Sequence, residues 1–404
     1  MRRVVKVSRI RIIITIIVVV LTTLLTGCTG KEPNEIAYVV ALGIDSTDDD
    51  NYKITIQYAN TTQISGGASE SGGKAGSEIV DNVTIEAPNI YAGVGLANNI
   101  VSKSFSMSHA KLIVFSKEIA EKGVKDMIET LVRSEEIRPD VFIAVANTTA
   151  NDYLTSVNPE MEVNPAQYYQ LIYQKNQLVG IPDGQLREFF TGLYTDNYDS
   201  ILPVAGVIDG SGGNSQNDDK GQSKDSQNEG SEGSSESLDS FESKSSNENE
   251  KEKDAEKNTS KYEYDIKNYV GGETTIEKKN KAEAIGAAVF EKDKMVGELG
   301  EVETEICKIL KGDYTYSYLT YYNNDTPDIP ITVKTTQQKK PKYKIDTDKK
   351  TVDIELYIES DLYSLPADYN VENKIEDFER NVANYTSSTC TEFINNFTKK
   401  YNSD

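Results

Sequence analysis

Apolar and polar positions change rhythm several times along this chain, and each rhythm predicts an element. Residues 36–44 are almost continuously apolar, as a strand buried on both faces reads. Residues 52–58 alternate as Tyr-Lys-Ile-Thr-Ile-Gln-Tyr, the period of a half-exposed strand, and the Asp- and Asn-rich stretch 45–51 between them predicts a hairpin turn. A strand is expected over 79–85 and a helix over 89–102. Residues 110–115 and 141–146 read as buried strands flanking a helix over 117–133, whose Ile119, Val124, Ile128, Leu131 and Val132 share one face. That β-α-β order predicts parallel strands. Helices over 166–174 and 184–194 and a strand over 201–207 follow.

The pattern then stops. Residues 209–261 are Gly, Ser, Asn, Gln, Asp, Glu and Lys, with Leu238, Phe241 and Ala255 as the apolar interruptions. Burial from such a stretch does not offset the cost of ordering its backbone, so it is expected to be an acidic disordered linker. A smaller Gly/Ser patch over 65–77 predicts a solvated loop between strands. Beyond the linker, strands over 284–290 and 294–299, turning at Lys292-Asp293, predict a hairpin that opens a second domain. A short helix over 301–310 is followed by strands over 314–322, 329–337, 342–346 and 352–358. Finally Ile375, Phe378, Val382, Tyr385, Phe393, Phe397 and Tyr401 recur at three- and four-residue spacing, which predicts a long amphipathic helix packed on the sheet of its own domain. The fold class is therefore α+β: several domains, mixed sheets with packed helices, and a long C-terminal amphipathic helix.

The first residues obey a different rule. Arg2, Arg3, Lys6, Arg9 and Arg11 precede an uncharged apolar run over 12–25, which Leu25-Thr26-Gly27-Cys28 closes. A basic start, an apolar run of about 14 residues against the roughly 20 of a stable membrane span, and a small residue before the cleavage point make an export signal. Leu-Thr-Gly-Cys resembles the bacterial lipobox, in which the cysteine thiol takes a diacylglyceryl group and becomes the first residue of the mature chain. Cys28 is the predicted lipidation site; the alternative is an uncleaved N-terminal anchor with an incidental cysteine, and both put the rest of the chain outside the cytoplasm. The layout expected is a signal peptide over 1–27, an N-terminal α+β region over 28–208 forming one domain or two subdomains, the linker over 209–261 and a C-terminal α+β domain over 262–404.

Charge sharpens the reading of the tether. Lys and Arg number 43 against 65 Asp and Glu in 404 residues, and removing residues 1–27 deletes five positive charges and no negative ones, leaving a mature net charge of −27. Such a body is repelled by nucleic acid and by anionic lipid, so the lipid has to hold it down. With 24 Tyr, 10 Phe and no Trp, the chain favours half-buried pleated surfaces. Cys307 and Cys390 are the other two cysteines; they either pair or sit as buried thiols, the reading favoured here.

Candidate chemistry is thin. Gly67 to Lys74 imitates a phosphate loop, but Ala68 stands where its first Gly belongs and Ala75 where Ser or Thr is needed. Gly93-Val-Gly95 lacks the third Gly of a dinucleotide fingerprint and falls within a helical pattern, which favours packing. The single histidine, His109, has Ser106 and Ser108 nearby but no nucleophile elbow, and reads as structural. No Cys/His spacing suits a metal. The expectation is no catalytic residue, no cofactor and no metal.

Taken in order, the lipobox, Ile36-Ala-Tyr-Val-Val-Ala-Leu-Gly-Ile-Asp45, Met107-Ser-His-Ala-Lys-Leu-Ile-Val-Phe-Ser116, Arg133-Ser-Glu-Glu-Ile-Arg-Pro139 and Ala287-Ala-Val-Phe-Glu-Lys-Asp-Lys-Met-Val-Gly297 resemble the Ger(x)C spore-germination lipoproteins. The resemblance spans the mature chain apart from the linker. Residues 209–261 look longer than that family's usual interdomain region, and family members often continue beyond a point matching Lys400 to Asp404. It implies a palmitate-bearing C subunit of a nutrient germinant receptor, on the outer face of the spore inner membrane, with integral membrane A and B subunits as partners and no assigned catalysis. An extracytoplasmic solute-binding lipoprotein is the alternative, and an envelope hydrolase a third. Whether the chain binds a small molecule directly stays open.

Overall fold

In the computed structural model of the chain, the apolar run after the predicted lipidation segment becomes β1 (Ile36–Ser46), the strand on which a nine-stranded mixed sheet is built. The structure describes residues 35–49, 51–59, 80–159, 164–174, 180–208, 268–274, 280–323, 326–365 and 375–401, with residue 162 and part of 11–19. β2 (Tyr52–Ala59) pairs antiparallel with β1, and β3 (Val80–Ala87) with β2. On the other side of β1 run β5 (Leu112–Ser116), β6 (Phe142–Ala146) and β7 (Ser200–Val207), all parallel to it. A short β4 (Ser104–Ser106) pairs with the start of β1, Ile36 opposite Ser104.

Strand alternation sorts the apolar residues into two cores. Ile113 and Phe115 of β5 and Ile143 and Val145 of β6 face one core, under α1 (Ile90–Ala97), α2 (Lys117–Lys122), α3 (Lys125–Val132) and α6 (Leu186–Leu193). Leu112, Val114, Phe142 and Ala144 face the other, under α4 (Ala150–Ser156) and α5 (Pro165–Tyr173). Covered on both faces, these central strands read as unbroken apolar runs. The second core holds the buried tyrosines. Tyr153 and Tyr173 share a hydroxyl hydrogen bond of 2.9 Å, and Tyr169 donates to Gln57 at 2.6 Å, so buried hydroxyls find partners.

Two predicted helices differ from those formed, and one helix forms that was not predicted. The helix expected over 117–133 is two, α2 and α3, because Gly123 closes the first at φ 122°, where an L side chain is strained. The helix expected over 89–102 stops at Ala97, and the chain turns into β4. α4 had no signal: Ala-Asn-Asp-Tyr-Leu-Thr-Ser is a poor helix former. It is held by the buried Asp45 carboxylate, 105 residues away, which accepts N–H groups of Ala150 at 2.6 Å and Asn151 at 3.0 Å, and by the Thr149 cap.

The hairpin expected to open a second domain completes the first sheet instead. β8 (Ala282–Glu291) pairs antiparallel with β7, and β9 (Lys294–Leu299) forms the edge. Gly206 explains the close seam, since a Cβ there would meet the backbone of Gly271 and Gly272. After α7 (Glu301–Lys311) comes a three-stranded antiparallel sheet of β10 (Tyr316–Asn323), β11 (Thr326–Asp346) and β12 (Thr351–Ser364). β11 is one strand where two were expected: Pro341, which lacks an N–H, sits in a register irregularity between Lys339 and Lys342. The last helix, α8 (Ile375–Tyr401), packs Phe378 and Val382 on Ile331 and Val333 of this sheet. Its far end leaves that sheet, where Phe393, Phe397 and Tyr401 cover Val289 and Leu299 of β8 and β9.

Candidate functional site

Cys28, the predicted lipidation site, and the linker over 209–261 lie outside the described residues, as does the stretch 67–74 that imitates a phosphate loop. After residue 19 the described residues resume at Glu35, which leads directly into β1. Six residues separate Cys28 from Glu35, and the seven Cα steps between them cover at most about 25 Å when fully extended. A lipid on Cys28 therefore confines Glu35, the residue before β1, to that distance from its anchoring point.

His109 lies at this same end. Its ring meets Tyr38 of β1 edge-on at 4.9 Å, and its Nδ1 is 3.0 Å from Ser108 Oγ, which is 2.9 Å from Ser106 Oγ. An acyl-transfer site needs a carboxylate orienting the imidazole and a separate hydroxyl on its other nitrogen. Here the hydroxyl belongs to the adjacent residue and an aromatic ring occupies the flank, so the string orients an exposed imidazole without assembling a nucleophile. Gly93 serves packing, because a Cβ at that position would lie 2.6 Å from Ile54 Cδ1. Both later cysteines are free: Cys307 lies in α7 and Cys390 in α8, and burial pushes the Cys390 thiol up to about 11 and the Cys307 thiol upward too. Among the described residues, no group of three or more His, Cys, Asp or Glu is placed to hold a metal, and no helix is long and apolar enough to cross a membrane.

Sequence reasoning missed a charged cleft of about 330 Å³ where the start of β7, the segment leading into α6 and the end of α7 meet. Lys308 is buried, and its Nζ donates to the Ile181 carbonyl at 3.1 Å, while Lys311 lies 5.3 Å over the Tyr198 ring. Burial lowers the Lys308 ammonium pKa, and the carboxyls of Glu305, Asp313 and Asp183 oppose that shift. Asp183 and Glu188 are both held above the usual carboxylate range, first by burial, then by Asp313 for Asp183 and by Asp183 and Asp313 for Glu188. One Asp183 oxygen is buried without a hydrogen-bond partner. In sequence these charges look like the solvated face of a helix and a loop; only the return of α7 against β7 brings them together. A second concavity, about 1300 Å³, runs between β12 and α8 and is lined by Val352, Ile354, Leu356, Ile358, Phe378 and Val382.

Two family models match the chain in order: the spore germination protein N-terminal domain over residues 30–207, and the spore germination B3/GerAC-like C-terminal domain over 285–404. Spore germination protein KC of Bacillus subtilis (strain 168) is 26% identical over 174 residues, covering 40% of this chain and 42% of that protein. Spore germination protein B3 of the same organism is 26% identical over 148 residues, 34% of this chain and 36% of that one. Spore germination protein GerQC of Bacillus cereus is 27% identical over 104 residues, 26% and 29% of the two chains. The matched stretches thus span less than half the length of these relatives. A solved structure titled as the crystal structure of the GerBC protein aligns with a TM-score of 0.44 at 14% identity, covering 90% of this chain and 83% of that one.

Proposed function

The chain belongs to the Ger(x)C family of spore-germination proteins, and on that premise we propose that it is a lipid-anchored, non-enzymatic subunit of a spore nutrient germinant receptor. It is tethered through Cys28 on the outer face of the spore inner membrane and acts through contacts with integral membrane A and B subunits. The observation that carries this reading is the pairing of the Leu25-Thr26-Gly27-Cys28 signature with two ordered germination-family matches on either side of a low-complexity segment. In this reading residues 1–27 are removed, 28–208 and 262–404 carry the folded parts, and 209–261 is a solvated connection.

Two acyl chains on one residue give stable anchoring where one gives marginal binding. Anchoring raises the effective concentration of an acidic body beside membrane partners that its own charge does not attract. The test is Cys28→Ala in the sporulating host. Expected are loss of incorporated labelled palmitate and a slow or absent response to the cognate nutrient, with the membrane subunits no longer co-purifying. Normal germination by spores carrying the unlabelled protein overturns anchoring as essential.

The charged cleft favours a second reading, a solute-binding lipoprotein, because Asp183 and Glu188 face Lys308 and Lys311 across a space of small-molecule size. Calorimetry of the mature chain against amino acids and sugars separates the two: micromolar heats favour solute binding, and their absence leaves the receptor-subunit reading.

A further inference from the structure

The end of the sheet that holds the start of β1 carries apolar side chains that the fold leaves in solvent. α1 runs back from the far end of the sheet, and where it stops the Asn98 side chain accepts the Phe105 N–H at 2.8 Å, one residue after Ser104, the β-partner of Ile36. Ala97 and Val94 are buried and Val101 packs on the core, yet Leu96 is 48% and Ile100 68% exposed. They are four apart, and beyond the end of α1 the chain stays in hydrogen-bonded turns, with the Ile100 and Val101 N–H groups donating to the Ala97 carbonyl at 3.0 and 3.1 Å. Single exposed apolar residues need no explanation, but these two lie at the end of the sheet where β1 starts, next to Glu35, which is confined within about 25 Å of any lipid on Cys28.

We propose that Leu96 and Ile100 form a bilayer-contacting knob that inserts at the membrane interface and sets the orientation of the tethered body. The proposal rests on lipidation of Cys28 and adds to it the face presented to the membrane. A tether alone fixes distance and leaves rotation free. A second, weak apolar contact beside it is populated because the tether holds its local concentration high. Apolar insertion fits this chain better than charge attraction, since the mature net charge of −27 disfavours an anionic surface. The opposite end of β1, ten residues on at about 3.3 Å each, would then point away from the bilayer.

The chain contains no Trp, so one introduced residue reports alone. Lipidated full-length protein carrying Ile100→Trp, and separately Leu96→Trp, is reconstituted in phosphatidylcholine vesicles with plain or brominated acyl chains; Asp48→Trp, at the far end of β1, is the reference. Expected are blue-shifted emission at 96 and 100 and its loss in brominated vesicles, with emission at 48 unchanged. Two labelled positions guard against a folding defect in either. If the protein floats with the vesicles but 96 and 100 quench no more than 48, the bilayer face is wrong and the tether stands. If the protein does not float with them, anchoring fails and the orientation falls with it.

Discussion

Glu305, on α7, is the residue whose protonation most directly tests how the second sheet meets the rest. Burial lifts its carboxyl from 4.5 to about 7, against opposing hydrogen bonds from Ser317 and Tyr314 of the following segment. The folded chain therefore keeps a proton that the unfolded chain gives up near pH 4.5. Stability from this group is fully present below that pH and lost as pH rises toward 7. The loss is about 1.4 kcal/mol for each pH unit between the two values, and so roughly 3 kcal/mol in all. Glu305→Gln removes the charge and keeps the shape. Urea unfolding at pH 5 and pH 8 should find the variant more stable than wild type at pH 8, with a flatter profile between; parallel profiles would sink the assignment. Nothing in the sequence marked Glu305, one of several acids in the short helix predicted over 301–310. Asp45 was equally silent, because its role as a cap for α4 exists only when residues 105 apart meet.

At the level of elements, α8 is the informative one. Its three- and four-residue apolar spacing was plain in sequence, but one stripe serves two surfaces, and periodicity carries no record of where a partner ends. Tyr401, at its last turn, fills the space above Gly297 and donates its hydroxyl to the Glu298 carbonyl at 2.9 Å. Tyr401→Phe should lose about 1 kcal/mol for that hydrogen bond, and Tyr401→Ala roughly 2–4 kcal/mol with the ring gone as well. Equal, negligible losses in chemical denaturation would mean that the end of α8 does not dock on β8 and β9. The break between α2 and α3 teaches the complementary lesson. Gly123 was visible inside the predicted helix, but a helical glycine is tolerated often enough that its φ had to be seen.

Across the whole molecule, the unit of sequence and the unit of structure have different edges. The C-terminal family match begins at residue 285, inside β8, whereas the sheet runs without interruption from β7 to β8 and β9. Val207 and Ala282 are paired neighbours, so everything between them leaves from and returns to one place on the sheet. Replacing residues 211–266 by a short Gly/Ser bridge should leave the fold intact and raise stability by about 1–2 kcal/mol, because closing a loop loses roughly 0.6 kcal/mol less for each halving of its length. Thermal melting and far-UV circular dichroism of the shortened chain check this; a lowered melting temperature would show that the deleted residues hold the sheet together.

By itself, the sequence determined what short-range physics controls. The strands β1, β2, β5 and β6 were legible because a covered or half-covered pleat leaves its period in the chain. Family membership was legible in the order of those segments. Tertiary structure alone decided that β8 and β9 belong to the first sheet, that α4 forms at all, that Asp183, Lys308 and Lys311 share a cleft, and that Leu96 and Ile100 stand uncovered beside the start of β1. Each of these depends on which segments meet across long separations, and a contact of that kind leaves no periodicity in either partner.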